Sequence, residues 1–256
     1  MKIVFFGVGA VCSVMATLLD ELSNKSKQKD INFVFVVRNI KKAQAHFFKN
    51  SNVLNKSDFL EIKHFEEIFE DSKKYENYLR NSDIFINSST PSFNLPIMNL
   101  ALKYNTNYAD LASDIYKDEI ISTLKFDQQI LENEFKYQNL FALINLGISP
   151  GITNFLIGEK IHSLKNLPYE VNIKKLEINL LEEIQSKKLI FSWSPKVAID
   201  ELAFPPVFYK KNRPKTIEPF SKSKVYKFPY FRNFVDIYPV FQEELISLKQ
   251  SFPQIE

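Results

Sequence analysis

Lys2-Ile-Val-Phe-Phe-Gly7-Val-Gly9-Ala-Val-Cys12 opens the chain with four consecutive apolar residues, two closely spaced glycines and the start of an apolar-rich segment. Ile3 to Phe6 has the length and the β-branched and aromatic content of a buried strand, and Ala10 to Leu22 runs without Gly or Pro, as a helix does. Strand, tight turn and helix in that order give a glycine pair mechanical meaning. Gly7 permits the turn, Gly9 lets a pyrophosphate approach the backbone, and the free amides of Ala10 and Val11 at the helix start point at the phosphates. Cys12 stands where a third glycine is usual, a position that accepts a small buried side chain. The competing reading is a plain α/β turn that binds no nucleotide.

Glycine is scarce here, which sharpens the reading. The chain has five in 256 residues, Gly7, Gly9, Gly147, Gly151 and Gly158, where average usage gives roughly three times as many, and four fall in two short clusters. The 33 basic residues are scattered against 30 acidic ones for a net charge of +3, which excludes a nucleic-acid footprint. Cys12 is the sole cysteine, so no intramolecular disulfide or multi-cysteine metal site forms, and a reducing, cytoplasmic compartment is expected. His46, His64 and His162 share no ligand spacing, and no metal is expected. A signal peptide is the competing reading of the apolar run through Leu19. That run is too short and too interrupted by small residues for a membrane span, and the downstream strand pattern needs it.

Strand-like segments at Ile31 to Val37, Phe59 to Ile62, Asp83 to Asn87, Asn107 to Asp110 and Leu140 to Asn145 alternate with helical ones at Lys41 to Lys49, Tyr75 to Arg80 and Leu95 to Tyr104, and a long amphipathic helix is expected after Asp110. The βαβα order without hairpin turns predicts an α/β fold with a Rossmann-type parallel sheet and helices on both faces. Residues 1–150 form the expected dinucleotide-binding domain. Beyond Gly151 the texture changes: Val171 to Leu181 alternates, and Leu189 to Trp193, Val207 to Tyr209 and Val225 to Phe228 read as further strands among concentrated prolines. Residues 151–256 are therefore expected to form a second, α+β domain with an antiparallel sheet, of the substrate-binding or dimerisation type.

Candidate site residues cluster at the carboxyl ends of the expected strands. Arg38-Asn39 follows the second strand where an acidic residue would hold a ribose hydroxyl, and a guanidinium there favours NADP over NAD. Ser88-Ser89-Thr90 and Asn94 follow the fourth strand, with hydroxyls for ribose, nicotinamide or substrate, although Ser92 equally suits a helix cap. Asp110, two residues ahead of the Ala112-Ser113 pair, is the acid/base candidate, a capping role being its alternative. In Asn145-Leu-Gly147-Ile-Ser149-Pro150-Gly151-Ile-Thr-Asn154, Ser149 as N-cap and Pro150 at the first helical position predict a helix whose amino end attracts a carboxylate. Trp193-Ser194-Pro195 predicts another Ser-Pro helix start, with the tryptophan in a core as the default.

Gly7-Val-Gly9-Ala-Val11, Val37-Arg38-Asn39, Asp83 to Asn94, Tyr108-Ala-Asp110-Leu-Ala, Gly147-Ile-Ser-Pro150-Gly151-Ile-Thr-Asn154 and Phe191-Ser-Trp193-Ser194-Pro195 together resemble, in order and spacing, the saccharopine dehydrogenase (saccharopine reductase) family, whose relatives include carboxynorspermidine synthase. The resemblance covers most of the chain. It implies an NAD(P)-dependent oxidoreductase working on a C–N bond between an amine and a carbonyl compound, with a small amino-acid-like substrate and a homodimer as partners. Cofactor contacts are expected at Gly7, Gly9, Ala10, Val11, Arg38, Asn39, Ser88, Ser89 and Thr90, and substrate contacts at Asn94, Ser113, Pro150, Gly151, Asn154, Trp193 and Ser194. The chain departs from the family pattern at Cys12 and at Phe241-Gln242-Glu243-Glu244, where some relatives carry a histidine. Relatives also continue beyond the position of Glu256, so the second domain is expected to be C-terminally incomplete. A dinucleotide-binding protein without turnover and a non-oxidative enzyme on the same fold are the alternatives.

Overall fold

A computed structural model describes residues 1–26, 30–47, 51–113, 127–191, 194–211 and 213–255. The chain divides between Gly147 and Ile148 into two compact units. In the first, strands β1 (Lys2–Phe6), β2 (Asn32–Val37), β3 (Ser57–Glu61), β4 (Ile84–Asn87), β5 (Asn107–Asp110) and β6 (Ala142–Leu143) pair in the order β3-β2-β1-β4-β5-β6, every pair parallel. Helices α1 (Ala10–Ser26), α2 (Ile40–Ala45), α3 (Ser51–Asn55), α4 (Glu66–Glu70), α5 (Glu76–Leu79), α6 (Asn94–Lys103) and α7 (Glu132–Tyr137) lie between them.

The strand run Ile3-Val4-Phe5-Phe6 is buried along its whole length because both faces of β1 are covered. Alternate residues serve opposite layers. Val4, Phe6, Val34, Val36, Phe85 and Tyr108 pack with Ile97, Met98 and Ala101 of α6, whereas Ile3, Phe5, Phe33, Phe35 and Val37 pack with Cys12 and Ala16 of α1 and Ala43 of α2. Phenylalanine fills the second layer: Phe35 lies 5.5 Å from Phe5, 5.2 Å from Phe59 and 5.0 Å from Phe47 between ring centroids. The abundance of this residue in the sequence thus has a packing use, since stacked and tilted rings bury large areas over neighbouring strands.

The second unit contains α8 (Ile152–Lys165), α9 (Pro195–Ala203), α10 (Glu244–Ser251) and two antiparallel pairs. These pairs join β7 (Val207–Lys210) to β8 (Arg213–Thr216) and β9 (Lys224–Tyr226) to β10 (Val235–Ile237). The antiparallel character expected after Gly151 is present, but in shorter pieces. Val171 to Leu181 and Leu189 to Phe191 are not strands. Alternation alone does not make a strand, which needs a ladder partner and a surface to bury its apolar side, and no residue from 171 to 181 is buried. Leu180 is 51% and Leu189 86% exposed.

Other boundaries moved too. The helix expected from Lys41 occupies Ile40–Ala45, the last strand is reduced to Ala142–Leu143, and the described part of the long helix expected after Asp110 is a 3-10 turn, Asp127–Leu131, followed by α7. Replacing Phe35, which is fully buried among four other phenylalanines, with alanine is expected to lower unfolding stability by about 3–5 kcal/mol. Val14→Ala on the exposed face of α1 should change it by no more than about 0.5 kcal/mol, both being read from urea unfolding monitored by circular dichroism.

Candidate functional site

All six strands of the first unit are parallel, so the loops after β1, β2, β4, β5 and β6 meet at one carboxyl edge. The edge is organised by Gly7. Its φ is +91°, and a Cβ built there would lie 2.8 Å from Ser89 Cβ and 3.1 Å from Ser89 Cα, so both conformation and space demand glycine. The Gly7 amide donates to Val36 O (2.9 Å), the Ser88 amide to Phe6 O (3.0 Å), and the Ser88 hydroxyl to Gly7 O (2.7 Å). The ends of β1, β2 and β4 are thereby tied into one piece.

Gly9 differs from Gly7. A Cβ there would have no neighbour within 4 Å, so the protein's own packing does not ask for glycine. Its carbonyl accepts from Ser13 (3.0 Å), which makes it the entry to α1, and Ala10 and Val11 are exposed at the helix start. A backbone kept open at a helix amino end, with amides lacking intrahelical acceptors, is an anion cradle. Cys12 is 1% exposed within the α1 layer, in keeping with a small apolar stand-in for the third glycine, and burial pushes its thiol up to about 12.

Arg38 is exposed just past β2. Asn39 has a structural task, its Oδ1 accepting from the Lys42 amide at 2.9 Å as the N-cap of α2. Ser89 folds back on its own loop, donating from Oγ to Asn87 Oδ1 (2.6 Å), and Thr90 shares a hydrogen bond with Ser92 (2.9 Å). Ser92 therefore does not cap the next helix. Its hydroxyl partner is Thr90, two residues before it, and α6 begins without a side-chain cap.

Asn94 and Ser113 lie inside the protein, at 2% and 4% exposure. Asn94 donates to Ala112 O (2.8 Å) and accepts from Asn87 Nδ2 (2.6 Å) and the Tyr108 hydroxyl (3.0 Å). Burial, then the charge of Asp110, raises the Tyr108 hydroxyl's pKa and keeps it neutral. Ser113 donates to Asn145 Oδ1 (2.9 Å). Asp110, 1% exposed, has both oxygens engaged: Oδ1 accepts from the Asn145 amide and Oδ2 from Gln128 Nε2, each at 2.8 Å. Burial lifts its pKa to about 6 against the pull of those donors, which favour the charged form. Gln128 carries no signal in the sequence that would have marked it. It is the group that completes Asp110.

In the second unit the expected Ser149-Pro150 helix start is displaced. The helix α8 begins at Ile152, after Gly151 at φ +132°, and Asn154 Oδ1 accepts from the Gly151 amide (3.1 Å). Ser149 instead donates to Glu244 Oε1, which also accepts from Thr153 Oγ1 (2.9 Å), and Asn154 Nδ2 donates to Ser247 Oγ (2.7 Å). The Ser149 hydroxyl is thus committed to α10, and Gly151 stands as the N-cap residue of α8. Glu244, unmarked by any motif, is 2% exposed and holds the whole 149–154 stretch to α10. Pro150 is buried within this stretch. Ser194 precedes Pro195 at the start of α9, as its sequence predicts, and its side chain makes no capping bond. Trp193 lies outside the described residues.

Residues 3–140 match the family of the saccharopine dehydrogenase NADP binding domain. The whole chain superposes on 53% of the apo, histidine-tagged saccharopine dehydrogenase (L-Glu forming) from Saccharomyces cerevisiae, with a TM-score of 0.64 and 17% sequence identity. The chain thus spans about half the length of that relative, and the likeness is one of fold. GenD2 from gentamicin A biosynthesis, solved with NAD, aligns over 64% of this chain and 40% of its own at 10% identity and a TM-score of 0.37. Mycobacterium tuberculosis shikimate dehydrogenase aligns over 65% of this chain and 52% of its own at 12% identity and a TM-score of 0.35. No curated protein matches the sequence. Among the described residues no helix is long and apolar enough to cross a membrane, and no group of three or more His, Cys, Asp or Glu is placed to hold a metal.

Two outcomes test this geometry. Gly7→Ala should destabilise the protein by about 1–3 kcal/mol, from positive φ and the approach to Ser89, whereas Gly9→Ala should leave thermal stability close to wild type. Because Asp110 takes up its proton near pH 6 when folded and near 3.8 otherwise, the folded state binds that proton more tightly. Its contribution is full below pH 4 and lost as pH rises through 6, by roughly 2–3 kcal/mol. Asp110→Asn should flatten that segment of the stability-against-pH curve in urea titrations, whatever its effect on the absolute value.

Proposed function

The chain belongs to the family of the saccharopine dehydrogenase NADP binding domain, and from that premise we propose that it serves an NADP-dependent oxidoreductase acting on a C–N bond. The observation that carries the cofactor part is Gly9. It is open above a helix amino end, next to a glycine that is fixed by packing, at the carboxyl edge of a sheet in the order β3-β2-β1-β4-β5-β6. The proposed contacts follow residue by residue. The amides of Ala10 and Val11 receive the pyrophosphate, Gly7 and Ser88 to Thr90 shape the floor beneath it, and Arg38 beyond β2 takes the 2′-phosphate that distinguishes NADP from NAD. Asn39 holds the turn that presents Arg38 by capping α2.

Bound NADPH supplies a hydride, which reduces the carbon of an amino-acid-derived imine as the nitrogen takes up a proton, giving a secondary amine; the reverse direction balances in the same way. The residues of this chain contribute position. Asn94, Ser113 and Asp110, offered by the sequence as substrate or acid/base groups, are engaged within the first unit, and we assign them to holding the carboxyl edge. Pro150, Gly151, Trp193 and Ser194 remain the proposed substrate contacts. Asn154 keeps the first two in place through the Gly151 amide. A homodimer is proposed from family resemblance alone.

The sealed Asp110 favours a second reading, dinucleotide binding without turnover. NADPH should enhance in fluorescence on titration with the protein, Gly9→Trp should abolish the enhancement, and Arg38→Leu should weaken NADPH by about tenfold while leaving NADH nearly unchanged. Absence of any NADPH binding ends the cofactor reading. Binding with no NADPH oxidation across a panel of amino acids paired with keto acids selects the second reading over the first.

A further inference from the structure

Two buried side-chain atoms near the carboxyl ends of β5 and β6 lack a partner, and they are opposite in kind. Gln128 Oε1 is an acceptor on a residue 3% exposed, and Asn145 Nδ2 is a donor on a residue 8% exposed. The far end of each amide is engaged, that of Gln128 by a carboxylate that takes only its NH2. Asp110 Oδ2 accepts from Gln128 Nε2, which turns Oε1 away, and Ser113 Oγ donates to Asn145 Oδ1, which leaves Nδ2. Asp110 also accepts from the Asn145 backbone amide, so one carboxylate ties both residues to the end of β5. An unsatisfied buried polar atom is expensive, and proteins retain such atoms mainly where a ligand or a bound water completes them.

We propose that Gln128 Oε1 and Asn145 Nδ2 receive the carboxamide of the nicotinamide ring. This rests on the cofactor reading above and deepens it. A primary carboxamide carries one C=O and one NH2, the complement of one donor and one acceptor. A carboxylate offers acceptors alone and an ammonium donors alone, and each would leave one of the two atoms unmet. The position agrees. In a sheet of this order the two halves of a dinucleotide lie across the switch between β1 and β4, and with the pyrophosphate at Gly9 and the 2′-phosphate at Arg38, the nicotinamide falls on the β4-β5-β6 side. From β1 to β5 is two strand spacings, about 10 Å.

The test is a set of calorimetric titrations without substrate, which removes any substrate amide as a source. NADP, its 3-acetylpyridine analogue, in which a methyl replaces the amide nitrogen, and adenosine 2′,5′-bisphosphate, which has no nicotinamide, are each titrated into the full chain. Wild type should bind NADP about tenfold more tightly than the analogue. Gln128→Met should bring that ratio close to one. Asn145→Gly, chosen because Asn145 sits at φ +62°, should weaken NADP and the analogue alike and preserve the ratio. Neither variant should alter bisphosphate affinity, which also reports that each is folded. Equal binding of NADP and the analogue by wild type, or variants with NADP affinity unchanged, while the bisphosphate binds, overturns the proposal and leaves the cofactor reading standing. No binding of any of the three compounds overturns both.

Discussion

Gly7 and Ser89 approach so closely that a single added carbon would collide with both the backbone and the side chain of the serine. The carboxyl edge of the first unit depends on this contact. It brings the loop after β4 down onto the loop after β1, and the Ser88 hydroxyl then locks onto the Gly7 carbonyl. With these two loops fused, Gly9 is carried one turn further to the entrance of α1, where its backbone stays clear. The paired glycines therefore do different work. One is required by the fold and the other is not.

The same logic of two-sided demand runs through the sheet. A strand covered on both faces cannot alternate polar and apolar residues, and β1 and β2 are apolar almost throughout. For this reason the opening stretch is legible from its residues as a buried strand. Where a segment is half covered or uncovered the pattern loses its meaning. Val171 to Leu181 alternates as a sheet strand would, but alternation describes one chain, whereas a strand is a relation between two, and the partner is not encoded in the segment itself. The short pairs β7 with β8 and β9 with β10 have the same limitation: Arg213–Thr216 carries no alternation worth the name and pairs because Val207–Lys210 lies beside it.

At the candidate site, what could be read depended on whether a residue's role was local. Gly7 as a turn and Ser194-Pro195 as a helix start are each decided within a few residues, and each is where its sequence placed it, whereas Asn39, expected against the cofactor, caps α2. Ser149 was misread for the opposite reason. The partner of its hydroxyl, Glu244, is 95 residues away, and nothing near Ser149 announces it. Gln128 likewise has meaning only through Asp110. Polar residues at the carboxyl edge of a parallel sheet are natural candidates for chemistry, yet Asn94, Asp110 and Ser113 are turned inward, since loops that present a ligand must themselves be held by buried hydrogen bonds.

Asp110 shows how such a scaffold bears on function without touching a reactant. A buried carboxylate with no cation among its hydrogen-bond donors is held ionised by those donors alone, and burial raises its pKa to about 6 in spite of them. Protonation would remove an acceptor from either the Asn145 amide or Gln128, and both of these anchor an atom that lacks a partner of its own. The charge on Asp110 thus fixes which way the Gln128 amide faces, while Ser113 engages that of Asn145. In the proposed carboxamide receptor the part of Asp110 is to hold Gln128 Nε2, and with it to leave Gln128 Oε1 as the acceptor.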